Sequence, residues 1–344
     1  AEACTEFRQA LPLNVAQDYN VFVFTHYTAL MDVLGSIAAG TFIEGSGFDI
    51  SRLDPDGWAI VAGGDVTLMN GSIWGDIWVG GHPELTNVDL QGSAFNSITM
   101  QAPIDFVAAQ AALTDLSVQL AGVTPNGTTS AGPQVVFTGN AAVNVFAVTA
   151  DQLATATDLV FDVPAGTTSI VNISGAEITM KQFEVFGVVD PTRILFNAHQ
   201  AGRVTVTAVE IPGSLLAPGA TVVFEAGDWE GTIIANALEG YGEVHWFPFA
   251  GELPCCYVEL VAGASVTAEE LAEHARTHVH ERAAIPKHME ILPELPKTAV
   301  GKIFKPELRK LAIARVLNES LAEAGLAAQV ARVTEDKKRG LVAY

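Results

Sequence analysis

Basic residues are scarce in the first three quarters of this chain of 344 residues. Residues 1–254 contain 5 Lys and Arg against 27 Asp and Glu, whereas residues 255–344 contain 13 against 12. A surface with so many uncompensated carboxylates repels the phosphates of nucleic acids and anionic membranes, so neither is expected as a partner of the first segment. The asymmetry also predicts two domains, 1–254 and 255–344, with separate functions.

Cysteine is scarce as well, and long hydrophobic runs are absent. The three cysteines, Cys4, Cys255 and Cys256, do not form a disulfide framework, and a bridge between the two adjacent ones would be strained. No run reaches the roughly 18 consecutive apolar residues of a membrane helix, so no membrane span is expected. Hydrophobic residues nevertheless make up 49% of the chain, which is enough for a core and excludes disorder.

Short runs of β-branched and aromatic residues alternate with glycine and asparagine turns throughout residues 1–254. Residues 57–81, GWAIVAGGDVTLMNGSIWGDIWVGG, show the pattern, which returns at 168–180, 202–211 and 220–249. Such runs predict strands of about four to six residues with tight turns. Their spacing is irregular, so the sequence predicts a mainly β fold, a β-solenoid (β-helix) without a strict sequence repeat.

One segment departs from this pattern and predicts a helix. Within residues 102–122, apolar side chains recur at alternating spacings of three and four, at Phe106, Ala109, Leu113, Leu116 and Leu120. Pro103 suits a first helical turn, and Gly122 suits a C-terminal stop. We therefore expect one long helix that flanks the coil of strands.

Four stretches of the first segment carry a family resemblance: residues 18–24 (DYNVFVF), 32–40 (DVLGSIAAG), 61–81 (VAGGDVTLMNGSIWGDIWVGG) and 231–254 (GTIIANALEGYGEVHWFPFAGELP). The segment resembles the choice-of-anchor A domain over nearly all of residues 1–254. The resemblance implies a bacterial, extracellular or cell-surface protein with an adhesive function and a β-helix similar to that of ice-binding proteins. The expected partners are extracellular matrix, a surface ligand, or the chain itself in oligomers or filaments. Ligand-contacting residues are not defined for the family, so none is assigned.

Aspartates supply the metal-binding candidates of the first segment. The densest acidic cluster, in DISRLDPDGW, supplies the candidate Ca²⁺ ligands Asp49, Asp54 and Asp56. The cluster lacks the alternating spacing of an EF-hand loop, and an Asp-Pro-Asp-Gly turn explains it without a metal. Three aspartates beside glycines are interpreted as turn residues that cap their own backbone: Asp65, Asp76 and Asp228. Apart from calcium, no cofactor is expected.

Tryptophan and threonine supply the candidates for direct ligand contact. Aromatic rings suit stacking on sugars, but tryptophans in a glycine-rich solenoid more often plug its corners or ends, and plugging is the favoured interpretation for Trp58, Trp74, Trp78, Trp229 and Trp246. An ice-binding surface would need ranks of threonine on a flat face. The TVTAV stretch offers Thr205 and Thr207 alone.

Residues 255–344 predict a small α+β domain. A strand at 257–261 is followed by a helix that the capping box of Thr267 and Glu270 opens, then by a second strand, HMEIL, and by a helix at the end of residues 293–317. Three histidines in and after the first of these helices are interpreted as solvent-exposed rather than as metal ligands: His274, His278 and His280.

The string LPKTAVGKIFKPELR, with AIPKH ahead of it, closely resembles the C-terminal domain of acyl-CoA synthetases in the adenylate-forming, AMP-binding enzyme family. The resemblance covers most of residues 251–317. It implies that Lys302 is the catalytic lysine that reaches the carboxylate and the ATP phosphates during adenylation, with Gly301 allowing a sharp turn beside it. A mobile ammonium group suits that task because it stabilises charge that develops on the transferring groups.

The ATP-binding N-terminal domain of such ligases is not found ahead of this string. Neither a Thr/Ser/Gly-rich phosphate loop ending in Lys nor a Tyr-Gly-x-Thr-Glu segment occurs, so we expect that the chain is not an enzyme. The leading hypothesis is a secreted or cell-surface adhesive β-solenoid with a catalytically incomplete ligase-like module. Two alternatives stay open: an acyl-CoA synthetase fragment that acts in trans through Lys302, and an ice- or glycan-binding module.

Overall fold

The computed structural model of the protein describes residues 13–29, 32–53, 57–96, 100–130, 132–141, 143–249, 255–261, 263–278, 288–298, 303–323, 329–336 and 340–343. Contacts between residues divide the chain into two compact units, one spanning Leu11–Gly251 and one containing Glu252–Tyr344. Among the described helices, none combines the length and the apolar character that crossing a membrane requires.

The first unit consists mainly of short strands that pair in parallel. Its N-terminal part contains β1 (Val21–Val23), β2 (His26–Ala29), β3 (Ile37–Ala39), β4 (Phe42–Ile50), β5 (Trp58–Ala62), β6 (Val66–Ile73), β7 (Asp76–Val79), β8 (Pro83–Leu90) and β9 (Ala94–Asn96). Its C-terminal part contains β10 (Thr128–Thr129), β11 (Gln134–Thr138), β12 (Val143–Thr149), β13 (Asp158–Asp162), β14 (Thr168–Ser174), β15 (Glu177–Lys181), β16 (Glu184–Gly187), β17 (Ile194–Asn197), β18 (Arg203–Pro212), β19 (Ser214–Glu230), β20 (Ile233–Gly240) and β21 (Glu243–His245).

The strands coil into three sides, which we name A, B and C. Side A contains β12, β14, β17, β19, β20, β1, β3, β5, β7 and β9 in spatial order. Side B contains β15, β18, β19, β20, β2, β4, β6 and β8. Side C contains β21 and the later parts of β18, β19, β4, β6 and β8. Strands β10, β11, β13 and β16 form a separate small sheet. The predicted mainly β coil of parallel strands is confirmed.

The first and last strands of side A in chain order, β1 and β20, lie next to each other in the middle of that side. Val21 of β1 pairs with Ile37 of β3 on one edge and with Ile233 of β20 on the other. From β1 the chain coils outward to β9, and helix α1 (Phe106–Ala121) precedes the strands that begin the opposite half. From β12 the chain then coils back towards β20. The first and last strands of side A are therefore neighbours.

Part of the coil has a regular rung of 17 residues. Ile60 pairs with Ile77, and Ile77 pairs with Ala94, whereas Val21 and Ile37 are 16 residues apart. The pairs Ile60–Ile77 and Val21–Ile37 place aliphatic side chains above one another in the core, where full burial of a Val, Leu or Ile contributes about 1.5–3 kcal/mol, whereas Ala94 at the end of the coil is exposed. The expectation of irregular spacing therefore holds for the whole coil but misses this local repeat, because different residue types occupy successive rungs.

Helix α1 lies against side A. Asp105 caps its first turn by accepting a hydrogen bond from the Ala108 amide at 3.0 Å, so the helix begins after Pro103 rather than at it. Its buried residues are Ala109, Leu113, Ser117 and Leu120. Side A is thus covered on both faces, which explains why its strands are nearly continuous hydrophobic runs.

Buried asparagines fix the helix to the coil. The side-chain amide of Asn197 donates to the Ser117 carbonyl at 2.9 Å and to the Asn172 side-chain oxygen at 2.7 Å. Asn172 in turn donates to the Leu120 carbonyl at 2.8 Å. Because each buried amide has partners, these polar groups carry no unpaired burial cost and orient α1 along the strands. A five-residue helix, α2 (Ala150–Ala154), follows β12 and has a capping box formed by Thr149 and Gln152.

The described residues of the second unit form a parallel strand pair, an antiparallel strand pair and two helices. Its elements are β22 (Cys255–Glu259), α3 (Ala268–His278), β23 (His288–Leu292), α4 (Lys305–Glu323), β24 (Val333–Asp336) and β25 (Gly340–Ala343). Strand β22 pairs in parallel with β23, and β24 pairs antiparallel with β25. Thr267 and Glu270 form the capping box expected at the start of α3, with donor–acceptor distances of 2.8 and 3.1 Å.

Candidate functional site on the outward rows of the solenoid

Sides B and C carry the outward side chains that a ligand can reach. On side B, pairing of the strands aligns one outward residue from each rung into a single row, which we name the B row. It contains Thr179, Thr205, Val223, Glu239, Thr28, Glu44, Thr67 and Glu84. Because neighbouring strands are about 4.8 Å apart, hydroxyls and carboxylates are presented at regular intervals.

An aromatic pair lies beside the B row. The rings of His26 and Phe42 are stacked, with centroids 5.0 Å apart and an interplanar angle of 6°. His26 Nε2 is 3.2 Å from Glu239 Oε1. Both side chains are half-buried, so the pair adds a small apolar patch to a surface of hydroxyls and carboxylates.

Acidic residues form a corresponding row on side C, which we name the acidic row. Its outward residues are Glu210, Asp228, Glu243, Asp32, Asp49, Ser72 and Asp89. They come from both the N-terminal and the C-terminal part of the first unit, because β21 pairs with β19 and Val244 forms a bridge to Val33. Sequence reasoning missed this row, since no local motif joins residues that only the strand register brings together.

The acidic row is densest around β21. Ligand atoms of Asp228, Glu243 and His245 all lie within 4.8 Å of one another, and His245 Nε2 is 3.2 Å from Glu243 Oε2. Burial raises the pKa of Glu230, and the nearby carboxylates of Glu210 and Asp228 raise it further, while His245 opposes the shift. A cavity of about 400 Å³ adjoins the group and is lined by Asp32, Gly47, Ala226, Gly227, Asp228, Tyr241, Gly242 and Glu243.

The predicted calcium ligands are not seen together as a site. Asp49 belongs to the acidic row, where its Oδ1 accepts a hydrogen bond from Trp74 Nε1 at 3.1 Å and its Oδ2 is 3.9 Å from Arg52. Asp54 and Asp56 lie outside the described residues. Calcium binding by this cluster stays a prediction.

Two of the aspartates beside glycine cap backbone amides of the next rung. Asp65 Oδ1 accepts a hydrogen bond from the His82 amide at 2.8 Å, and Asp76 Oδ1 accepts one from the Ser93 amide at 2.9 Å. Each bond spans 17 residues. Both carboxylates therefore cap backbone amides, as expected, but these hydrogen bonds join neighbouring rungs of the parallel coil. Asp228 faces outward in the acidic row.

The tryptophans and threonines divide between core and surface. Trp229 is fully buried and Trp78 is nearly so, in accord with plugging, whereas Trp58, Trp74 and Trp246 are half-buried. Thr205 lies in the B row, where strand pairing brings Thr28, Thr67 and Thr179 into line with it. Sequence reasoning missed these three threonines because they lie on strands far apart in the chain.

The residues carried over from the ligase resemblance, Gly301 and Lys302, lie outside the described residues. Ahead of them, Lys297 Nζ is 2.9 Å from Glu259 Oε2, and the same oxygen accepts a hydrogen bond from the Leu295 amide at 2.9 Å. The Leu295 amide and Lys297 hold the pKa of Glu259 below its usual range. His274 is exposed, while the side chains of His278 and His280 are outside the described part of the chain.

A smaller cavity of about 220 Å³ lies near the C-terminal end of α1 and is lined by Ala121, Ala147, Val148, Thr149, Gln152, Asn172, Ser174 and His199. The Nδ1 atom of His199 is buried there without a hydrogen-bond partner among the described residues. Burial lowers the pKa of His199.

Two family models match different parts of the chain. The sequence model of the ice-binding-like adhesive domain matches residues 12–246, and that of the AMP-binding enzyme C-terminal domain matches residues 244–302. The resemblances expected from the sequence, to an adhesive domain with an ice-binding-like fold and to a ligase C-terminal domain, are confirmed.

Several individual proteins are similar to one part of this chain or the other. Marinolic acid–CoA ligase from Pseudoalteromonas sp. is 44% identical over 71 residues, which are 21% of this chain and 11% of the ligase. An ice-binding protein from the Antarctic ascomycete Antarctomyces psychrotrophicus aligns with 68% of this chain and 96% of its own, at 12% identity and a TM-score of 0.36. A glycosylated ice-binding protein from an Arctic yeast aligns with 74% of this chain and 97% of its own, at 16% identity and a TM-score of 0.35.

Proposed function

Because the chain belongs to the family of ice-binding-like adhesive domains, we propose that its first unit is the adhesive part of a secreted or cell-surface bacterial protein and binds its ligand through side B. The observation that carries this proposal is the B row, where threonine hydroxyls and glutamate carboxylates repeat along the coil. A repeating surface suits a repeating ligand, because each added rung adds one more contact.

A neutral polysaccharide is the ligand class that fits the B row best. Carboxylates of Glu44, Glu84 and Glu239 accept hydrogen bonds from sugar hydroxyls, while threonine hydroxyls both donate and accept. The net charge of −21 repels anionic polymers. Ice is the second candidate, favoured by the threonines of the same row, but the glutamates between them interrupt a uniform rank of hydroxyls.

Lysine substitutions in the B row test this proposal. Thr67 lies between Glu44 and Glu84, so the ammonium group of Thr67→Lys would lie between two carboxylates and the fold should tolerate it. The long lysine side chain would then cover part of the B row. We expect Thr28→Lys combined with Thr67→Lys to weaken binding to immobilised cellulose, chitin or dextran at least tenfold. Ser72→Lys is the matched control, because Ser72 lies on the same strand but faces outward on side C.

The outcome of the binding assay separates the two ligands. Ice binding without polysaccharide binding, measured as thermal hysteresis and lost in the double variant, would favour the ice candidate. Equal binding of the double variant and wild type to every probe would contradict the role of side B. We also expect removal of residues 255–344 to leave binding unchanged, because the proposal gives the second unit no part in adhesion.

For the second unit we propose a ligase fragment without adenylation activity of its own. It matches only the C-terminal domain of the enzymes, and the chain spans about a tenth of the curated ligase described above. A lysine at the position of Lys302 needs bound ATP and acid to act on, which the N-terminal domain supplies in such enzymes. Action in trans through Lys302 is the alternative.

Self-association is a second candidate function of the solenoid, favoured by the difference between its two ends. At one end, the Asn126 side chain pairs with the edge strand β12: it donates to the Val143 carbonyl at 2.9 Å and accepts from the Val145 amide at 2.7 Å. At the other end, β8 pairs with β6 and β9 pairs with β7, and among the described residues neither has a strand on its outer edge. An open strand edge is a template for another strand.

A charge at the open edge should block this association. Light scattering should show the average mass of the wild type rising with concentration, and Thr86→Lys on β8 should hold it at the monomer value, because a lysine on an edge strand disfavours pairing. Thr128→Lys, an exposed threonine of β10 at the other half of the coil, should behave as the wild type does. A wild type that stays monomeric throughout the concentration series would rule out this function.

A further inference from the structure

Three potential metal ligands lie close together where β21, the last strand of the first unit, pairs with β19. Asp228 of β19 pairs with Glu243 of β21, and Glu230 pairs with His245 two residues further along. Glu243 and His245 lie two residues apart on one strand and therefore face the same way. The convergence of two carboxylates and one imidazole is thus fixed by strand register rather than by a flexible loop.

The distances suit a metal ion after a small adjustment. The ligand atoms of Asp228, Glu243 and His245 lie within 4.8 Å of one another, whereas two ligands on one Zn²⁺ are separated by at most about 4.2 Å. Asp228 and His245 are half-buried and Glu243 is exposed, so rotation of the side chains closes the difference. The nearest pair, His245 Nε2 and Glu243 Oε2, is already 3.2 Å apart.

The imidazole distinguishes this group from the remainder of the acidic row. Carboxylate oxygens alone suit Ca²⁺ or Mg²⁺, whereas an imidazole nitrogen combined with carboxylates suits Zn²⁺ and other divalent transition metals. The adjoining cavity of about 400 Å³ leaves space for water in the remaining coordination positions, and Asp32 adds a third carboxylate to its lining. No lysine or arginine is among the described residues that line this cavity.

One buried tyrosine of the core interacts electrostatically with Asp32, a residue of the cavity lining. The Tyr27 hydroxyl is buried and has no hydrogen-bond partner among the described residues. Burial raises the pKa of Tyr27, and the charge of Asp32 raises it further.

We propose that Asp228, Glu243 and His245 bind one divalent transition-metal ion, for which Zn²⁺ is the best match, and that this ion fastens β21 to β19. Strand β21 is three residues long, and Val244 in its centre forms the bridge to Val33 of the N-terminal part. The metal would therefore stabilise the junction between the two halves of the coil. A metal that binds the folded state alone raises the unfolding temperature.

Isothermal titration of the metal-free full chain with ZnCl₂, with MnCl₂ and CaCl₂ in parallel, tests the proposal. We expect one tight Zn²⁺ site whose affinity falls at least tenfold in His245→Gln and in Asp228→Asn. Zinc should raise the unfolding temperature of the wild type and leave that of the two variants unchanged. His82→Gln, an exposed histidine outside the group, is the matched control and should bind as the wild type does.

The unfolding temperature in the presence of a chelator shows whether the variants fold. His245→Gln and Asp228→Asn should match the wild type there, because both retain side chains of similar size. Undiminished zinc affinity in both variants would overturn the proposal, and so would calcium binding that is as tight as zinc binding and insensitive to His245→Gln. The latter result would assign cation binding to the acidic row as a whole.

Discussion

Replacing Gly63 by alanine should lower the free energy of unfolding of the first unit by about 3 kcal/mol or more, the upper end of the cost of overpacking. A Cβ at Gly63 would lie 2.1 Å from the carbonyl oxygen of Gly40 in the preceding rung. The Gly63 amide also donates to the Ala39 carbonyl at 2.8 Å, so moving the rungs apart would lengthen a backbone hydrogen bond. The clashing atom belongs to the backbone, which cannot relieve the contact by changing a side-chain rotamer.

This contact recurs along the corner between sides A and B. A Cβ at Gly40 would lie 2.1 Å from the Phe24 oxygen, and a Cβ at Gly80 would lie 2.3 Å from the Gly63 oxygen. The glycines at this corner therefore let successive rungs approach at strand distance. Glycine is required at these positions because there is no space for a Cβ atom, and not because the backbone is left-handed.

Denaturation in guanidinium chloride, followed by tryptophan fluorescence, measures the effect. All 5 tryptophans belong to residues 1–254, so the signal reports on the first unit. Gly202→Ala is the matched control, because the nearest atom to a Cβ there is the Ala176 oxygen at 3.9 Å. We expect the control to change stability by less than about 0.5 kcal/mol. Equal stability of Gly63→Ala and Gly202→Ala would show that the rungs can separate at no cost.

Replacing Trp229 by alanine should destabilise the first unit by about 3–5 kcal/mol, the range for removing a large aromatic side chain from a core. Trp229 is fully buried, and its indole Nε1 donates to the Gly213 carbonyl at 2.7 Å. Its ring packs edge-on against Phe224, with centroids 6.5 Å apart. The truncation would therefore leave a cavity and remove a hydrogen bond from the Gly213 carbonyl, which lies at the corner between sides C and A.

Trp229→Phe separates the two contributions, because it keeps most of the ring packing and loses only the hydrogen bond. We expect it to be clearly more stable than Trp229→Ala in the same denaturation experiment, with far-ultraviolet circular dichroism as the second signal. If Trp229→Ala instead retained full stability but lost binding to polysaccharides, this residue would be a sugar-stacking residue, and its interpretation as a plug would be wrong.

Local patterns in the sequence predicted much of the architecture. Glycine-bounded runs such as residues 57–81 predicted short strands, since β-branched and aromatic residues between turn residues favour strands wherever they lie. The apolar stripe from Phe106 to Leu120 predicted a helix in the place where α1 is found. The ligase-like string at 295–309 and the change in charge near residue 254 distinguished the two segments of the chain, which resemble different families.

The order of the rungs could not be predicted in this way. Val21 and Ile233 are neighbours in side A, yet nothing in either strand selects the other, because parallel strands of similar apolar residues are compatible with many registers. The aspartates illustrate the same difficulty. Asp65 was interpreted as a cap of its own turn, and only the coil shows that its partner is the His82 amide of the next rung.

The sequence by itself therefore determined the fold class, the two family resemblances and the acidic character of the first segment, because composition and local periodicity act over a few residues. Only the tertiary structure decided which outward residues share a row. The B row and the group of Asp228, Glu243 and His245 combine strands distant in the chain, and their spacing follows from hydrogen-bonded register between rungs. Register depends on packing of the whole coil, which no single stretch of sequence encodes.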